Sequence, residues 1–179
     1  MEPVATDIES RLDFIFGRRS IRAFQNASVA EEMVEALLRA AMAAPSAAQK
    51  DPWRFVVVRD KKSLATIAHG LPNGKMLPDC SVAVVVCGDT EAAHDRLLGY
   101  LLEDCSAAIE NLLLAAHALG LGACWLGVYP REERVTCLRK LLSIPESVLP
   151  VACIAIGYPA ETKESRTRYT PDHVHYGKW

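Results

Sequence analysis

From Leu101 to Leu119 the residues Leu101, Cys105, Ala108, Ile109, Leu112, Leu113, Ala116 and Leu119 recur at helical spacing. They cover far more than the roughly 100° stripe of a helix lying on one layer. A helix so apolar has to be enclosed on most sides, so it takes the centre of whatever this chain folds into. Gly120 follows as the residue that can turn left-handed and stop it. Ser81 to Cys87 is nearly all apolar, which predicts a strand buried on both faces.

The other elements are shorter. Thr6-x-x-Glu9 reads as a capping box opening a helix to about Gly17, with Ile8, Leu12, Ile15 and Phe16 as its apolar side. Ser28-x-x-Glu31 opens a second, in which Val29, Met33, Leu37 and Ala40 repeat until Ala43-Ala44-Pro45. Pro52 to Val58 is rich in aromatic and β-branched residues and predicts a strand. A short helix near Asp60–Ala68 is stopped by Gly70 and Pro72, and residues 91–119 are mostly helical. Ala123–Val128 and Val151–Ile156 are strand-like, and between them Pro130 sits in the first turn of another helix. Without steady βαβ alternation, the class is α+β. No repeat or linker appears, so residues 1–179 are expected to form one domain. The arm 160–179 is polar except for Val174, Tyr176 and Trp179, and must lie on its own domain or on a partner subunit.

Composition removes several function classes. Half of the 179 residues are apolar and 23% are charged, which excludes a disordered chain. Twenty Lys+Arg against 22 Asp+Glu leave a net charge of −2, no footprint for nucleic acid or a membrane surface. Apolar runs such as Val82 to Cys87 fall far short of the roughly 20 residues of a spanning helix. The start MEPVATDIESR has neither a basic n-region nor an apolar h-region, so the expected location is cytoplasmic. Cys80, Cys87, Cys105, Cys124, Cys137 and Cys153 include no CxxC pair, and reduced, mostly buried thiols are expected. No zinc-type spacing exists, and His173-x-His175 lacks a third ligand.

Cofactor motifs are missing in a specific way. Gly120-Leu121-Gly122 lacks the third glycine of a dinucleotide fingerprint and leads from helix to strand, the reverse of a Rossmann turn. Gly70 to Met76 fails as a P-loop, and neither GxSxG nor HExxH occurs. Four segments remain. Arg18-Arg19-Ser20-Ile21-Arg22 offers guanidiniums and a hydroxyl suited to a phosphate, or cations complementing a helix C-terminus. Pro45, Ser46, Ala47 and Gln49 lie among small residues between two prolines, where a flat ligand can approach the backbone, or where a helix simply passes into a strand. Gly127 and Val128 end a buried strand and can expose backbone N–H groups, or simply pack. Arg166 and Arg168 can grip an anion or remain solvated.

The order of these segments resembles the nitroreductase family of flavoproteins over roughly residues 10–179. The resemblance rests on RRSIRAF, APSAAQKDPWRFVVV, ENLLLAAHALGLGACWLGVYP, IAIGYP and HVHYGKW. It implies an α+β sandwich with a central, mostly antiparallel sheet of four or five strands flanked by helices. It also implies a homodimer that binds FMN at the subunit interface, with the C-terminal arm reaching onto the partner. On that resemblance Arg18, Arg19, Ser20, Arg22, Arg166 and Arg168 hold the ribityl phosphate and ring edge. Pro45, Ser46, Ala47 and Gln49 come from the partner and pass against the isoalloxazine, Gly127 and Val128 bring an N–H to flavin N5, and Lys75 is a weaker candidate on the pyrimidine side.

Two departures stand out: Gln49 replaces the family's usual Asn, and Asp51 replaces its usual Gln. An ionised Asp51 cannot donate a hydrogen bond, and near the ring it would oppose reduction; a solvent-facing position avoids this. The activity implied is hydride transfer from NAD(P)H to nitroaromatic, quinone or similar flat acceptors in a ping-pong cycle. A flavin carries that chemistry, so no protein nucleophile, acid–base pair or metal is expected. The alternatives are a specialised flavin enzyme, such as a reductive dehalogenase or one consuming flavin itself, and a non-catalytic flavin-binding or redox-sensing module.

Overall fold

The computed structural model describes residues 5–179. In chain order the elements are α1 (Ala5–Phe16), α2 (Glu31–Met42), β1 (Trp53–Val58), α3 (Lys61–Gly70) and β2 (Val82–Asp89). They continue with α4 (Leu98–Ala118), β3 (Gly122–Gly127), α5 (Glu132–Leu142) and β4 (Val148–Gly157). Among the described residues the strands form one sheet in the order β1-β2-β4-β3, and every pair is antiparallel. This is an α+β architecture.

Strand β2 shows why its sequence carries no polar alternation. Val82, Val84 and Val86 face one core with Ile154 and Ile156 of β4, and α2 and α4 cover them through Leu37, Ile109 and Leu112. Ala83, Val85 and Cys87 face the opposite core with Cys153 and Ala155, under Leu64 and Ile67 of α3 and Leu138 of α5. Each fully buried Val or Ile adds about 1.5–3 kcal/mol, and because alternate residues serve opposite layers, no position inside β2 is free to be polar. Helix α4 is buried along Leu101, Cys105, Ala108, Ile109, Leu112, Leu113 and Ala116, as its wide apolar surface requires. It ends where Gly120 takes φ 73°.

Several local expectations are corrected. Helix α2 has Ala30, not Ser28, as N-cap, with no side-chain cap, because Val29 is pinned in the core and its N–H donates to Ser81 Oγ at 2.7 Å. Its buried face is Val34, Leu37 and Ala41, with Met33 and Ala40 only half-buried. Residues 91–97 are not α-helical: His94–Arg96 make only a distorted 3-10 turn in which Asp95 and Arg96 adopt φ 50° and 54°, and α4 starts at Leu98. Pro130 precedes α5, whose N-cap is Arg131. Helix α1 already contains Thr6, and the capping box itself rests on a Thr6 side chain outside the described residues.

Strand β4 is longer than predicted and includes Pro150. The proline is tolerated because β3 pairs only as far as Ala152, and the register against β2 shifts beside it. In the arm, Tyr176 and Trp179 are 90% and 102% exposed, so the chain's own surface does not cover them.

Candidate functional site

The site grows from the outer edge of β3. Gly127 pairs with Ala152, while Val128 N–H donates to Val151 O at 3.1 Å and Tyr129 N–H to the same oxygen at 3.2 Å. Antiparallel residues alternate between bonded and non-bonded pairs, so Gly127 turns its N–H and C=O away from β4. Of the two residues offered for a backbone contact, the open one is therefore Gly127; Val128 is buried and its N–H is engaged. A Cβ built on Gly127 meets nothing within 4 Å, so its glycine leaves open space toward solvent rather than relieving a clash.

That edge borders a cleft of about 710 Å³, where Gly127 meets Arg22, Lys75, Trp125, Asp79 and Arg134. The structure thus brings Arg22, Lys75 and Gly127 together from three separated segments. Arg22 is placed by a clamp: its N–H and that of Ala23 both donate to Glu161 Oε1, which Lys163 Nζ also meets at 3.1 Å. Donation by the Arg22 N–H holds the Glu161 carboxyl below its ordinary pKa, with Lys163 adding to it. Lys163 Nζ also donates to Ser20 O at 2.6 Å, and Ser20 bridges Ala123, fixing the Arg18–Arg22 segment along the sheet edge.

A second cavity of about 250 Å³ is lined by Arg18, Arg19, His117 and Lys163. Arg19 is half-buried, and its Nε is shut off from solvent without any hydrogen-bond partner. Burial and the charges of Arg166, Arg18 and Arg168 depress its pKa. Arg166 is brought there by its N–H, which donates to Phe16 O at 3.3 Å at the end of α1. Arg18 has a partial counter-ion in Glu110, Nε to Oε1 3.4 Å. Of the arginines expected at an anion site, Arg18 and Arg19 line this cavity, Arg22 lines the other cleft, and Arg166 and Arg168 line neither but act on Arg19 by charge; Arg19 carries no carboxylate of its own among the described ion pairs.

Pro45, Ser46, Ala47 and Gln49 line neither cavity. Their segment is nevertheless built with care. Ala48, Gln49 and Asp51 hold φ of 50°, 54° and 48°, costly for non-glycine residues. Two contacts fix them: Ser46 Oγ exchanges hydrogen bonds with Asp51, and Ala47 N–H donates to Asp104 Oδ1. Asp51 is exposed and engaged locally by Ser46, and Gln49 is exposed.

Sequence reasoning missed Asp104, Arg134, Glu161 and Lys163. A carboxylate on the apolar face with Leu101, Cys105 and Ala108 was a visible signal, as was a cation in the first turn of α5, where the helix dipole disfavours it. Nothing local marked Glu161 or Lys163, whose roles arise from contacts across 138 to 143 positions. The cysteines match expectation: all are free, five are buried and Cys137 is half-buried.

Comparison with known proteins identifies the fold family. The nitroreductase family model matches residues 15–71 and 65–158. A Methanothermobacter thermautotrophicus protein, provisionally named an NADH dehydrogenase/NAD(P)H nitroreductase, is 47% identical, covering 94% of this chain and 87% of its own. A Bacteroides thetaiotaomicron structure of the same provisional name superposes with TM-score 0.89 and 42% identity, over 95% of this chain and 98% of that one. A Desulfovibrio desulfuricans structure, provisionally named a nitroreductase and solved in complex with FMN, gives TM-score 0.81 and 32% identity, over 94% and 96%. With the family model and the relatives both spanning most of its length, this chain belongs to the nitroreductase family.

Proposed function

We propose that this chain is an FMN-dependent oxidoreductase that takes hydride from NAD(P)H and passes it to nitroaromatic, quinone or similar flat acceptors in a ping-pong cycle. It works as a single domain over residues 1–179, paired as a homodimer. The observation that carries the reading is the convergence of cations on one cavity: Arg18, Arg19 and Lys163 line it, the charges of Arg166 and Arg168 bear on Arg19, and no described ion pair gives Arg19 a carboxylate. A like-charged cluster of this kind attracts an anion, and a phosphate monoester fits its donor set. The fit extends to the ring end, where Arg22 and Lys75 supply cations and Gly127 a backbone N–H turned away from β4.

FMN, when bound, supplies hydride acceptance and donation at its N5. The protein's contribution is orientation and charge. Arg18, Arg19, Ser20, Arg166 and Arg168 hold the phosphate. Arg22 and Lys75 lie where positive charge stabilises a ring that gains electrons. Gly127 rather than Val128 offers its N–H to the ring edge, because Val128 already donates to Val151. Pro45, Ser46, Ala47 and Gln49 serve the partner's site, since they reach neither cavity of their own chain. The uncovered Tyr176 and Trp179 support an arm that docks on the second subunit. The relative solved with FMN supports the choice of cofactor.

The test is the visible spectrum of purified protein, with FMN added if needed, before and after anaerobic NADH or NADPH. Flavin peaks that bleach, then return with nitrobenzoate or a quinone faster than with oxygen alone, are expected. Bound flavin that stays oxidised with both donors sinks the enzyme reading in favour of a binding module. Failure to take up FMN removes the cofactor assignment.

A further inference from the structure

The cleft beside Gly127 contains a cation that the flavin reading does not use. Arg134 stands in the first turn of α5, where Glu132 and Glu133 suit the helix dipole and a guanidinium does not. Neither glutamate pairs with it, and no described ion pair involves it. Its Nη1 donates to Gly127 O at 2.8 Å, which sets the side chain on the cleft wall. Its Nε has no hydrogen-bond partner and is closed off from solvent. A ligand in the cleft cannot reach Nε, but the terminal Nη2 is not closed off and the described hydrogen bonds leave it without an acceptor, so it can donate a charge-assisted bond to an oxyanion.

The surrounding charge points the same way. Arg22, Lys75 and Arg134 line this cleft against the single carboxylate of Asp79, in a chain whose net charge is −2. If the ring is served by Arg22 and Lys75, one cation remains for whatever binds over it. We infer that Arg134 is a specificity residue that binds an oxyanion carried by the molecule entering the cleft. The oxyanion comes from one of two sources: the phosphates of the dinucleotide donor, or a carboxylate on an aromatic acceptor. This rests on the flavin reading above.

The test compares charged and neutral partners in each half-reaction, for wild type, Arg134→Gln and Arg134→Lys. The donors are NADH and 1-benzyl-1,4-dihydronicotinamide, which lacks phosphate. The acceptors are 4-nitrobenzoate and nitrobenzene. In Arg134→Gln the ratio of charged to neutral rates is expected to fall about 10- to 100-fold in one half-reaction, as loss of charge-assisted hydrogen bonds dictates. A fall with the donors names the phosphates, and a fall with the acceptors names the carboxylate. Arg134→Lys recovers part of it. Calorimetric titration of the oxidised protein with ADP-ribose and with 4-nitrobenzoate, independent of turnover, should show the same loss of affinity.

Equal losses for charged and neutral partners would mean that Arg134 only positions Gly127, and would overturn the inference. Unchanged ratios with unchanged titrations overturn it as well. If the protein takes up no flavin, the proposed function falls, and the titrations alone decide for or against Arg134.

Discussion

Asp104 and Ala47 are joined by a hydrogen bond of 2.8 Å from the Ala47 N–H to Oδ1. Asp104 is only 4% exposed, and its Oδ2 has no partner. A buried carboxylate with one strong bond is costly, and what it secures here is the attachment of α4 to the strained Ser46–Asp51 segment. Asp104→Leu should lower hydrogen-exchange protection of the Ala47 amide by about tenfold or more, the worth of a charge-assisted bond. Asp104→Asn, which keeps an oxygen acceptor, should retain most of it. Equal protection in all three proteins would refute the tie.

The arginine cluster predicts opposite effects in the empty and loaded protein. Arg18→Ala should weaken FMN binding by about 1.5–3 kcal/mol, through lost charge-assisted hydrogen bonds. Arg19→Gln should also weaken FMN binding, yet leave the melting temperature of flavin-free protein unchanged or higher, because it relieves repulsion by Arg166, Arg18 and Arg168. A flavin titration and a melting curve on the same samples check both. An unchanged FMN dissociation constant in both variants would be the contrary result.

Two glycines of β3 should behave differently. A Cβ at Gly122 would lie 2.7 Å from Ile21 Cγ2 and 2.8 Å from its Cβ, so Gly122→Ala should cost about 1–3 kcal/mol in urea denaturation. Gly127 has open space, so Gly127→Ala should leave the urea midpoint nearly untouched. Its effect should appear instead as weaker FMN binding, since the added methyl narrows the approach to the strand edge.

The thiols predict alkaline behaviour. Burial pushes Cys80 up to about 11, and Cys87 and Cys105 to about 12, from an ordinary 9.0. Folded values above unfolded ones mean that the contribution is complete below about pH 9 and is lost as pH climbs through the folded values. Stability should therefore fall above pH 9, by up to about 1.4 kcal/mol per pH unit for each titrating thiol. The melting temperature across pH 7 to 11 measures it, and Cys87→Ala should flatten the slope. Native protein at pH 8 should react with iodoacetamide at Cys137 alone, the one half-buried thiol.

What the sequence made legible follows the range of the forces involved. The enclosure of α4 and the double burial of β2 follow from local composition, and both are found. So is the helix stop at Gly120. The Ser28 capping box failed because a distant hydroxyl, Ser81, claimed the neighbouring N–H. The choice of Gly127 over Val128 could not be read locally, because it depends on the phase of pairing with β4. The segment Arg18–Arg22 stood out from its own residues, Lys75 came only with the family resemblance, and what Arg134 and Asp104 touch required the cleft and the core to be seen.

The strand order β1-β2-β4-β3 also governs the timing of assembly. During synthesis β1 and β2 can pair as soon as both have left the ribosome, but β3 emerges before its only strand neighbour in the sheet, with just the Ser20–Ile21 segment to bridge it at Ala123. It waits for β4, the last strand made, which slots between β2 and β3 and completes both ladders at once. The cleft edge at Gly127 and the Arg22 clamp at Glu161 therefore come into being only after residue 161 has been added. A nascent chain that ends before Val148 holds half a sheet, and one that ends before residue 161 lacks the Arg22 clamp, so cofactor capture belongs to the last stretch of synthesis or after it.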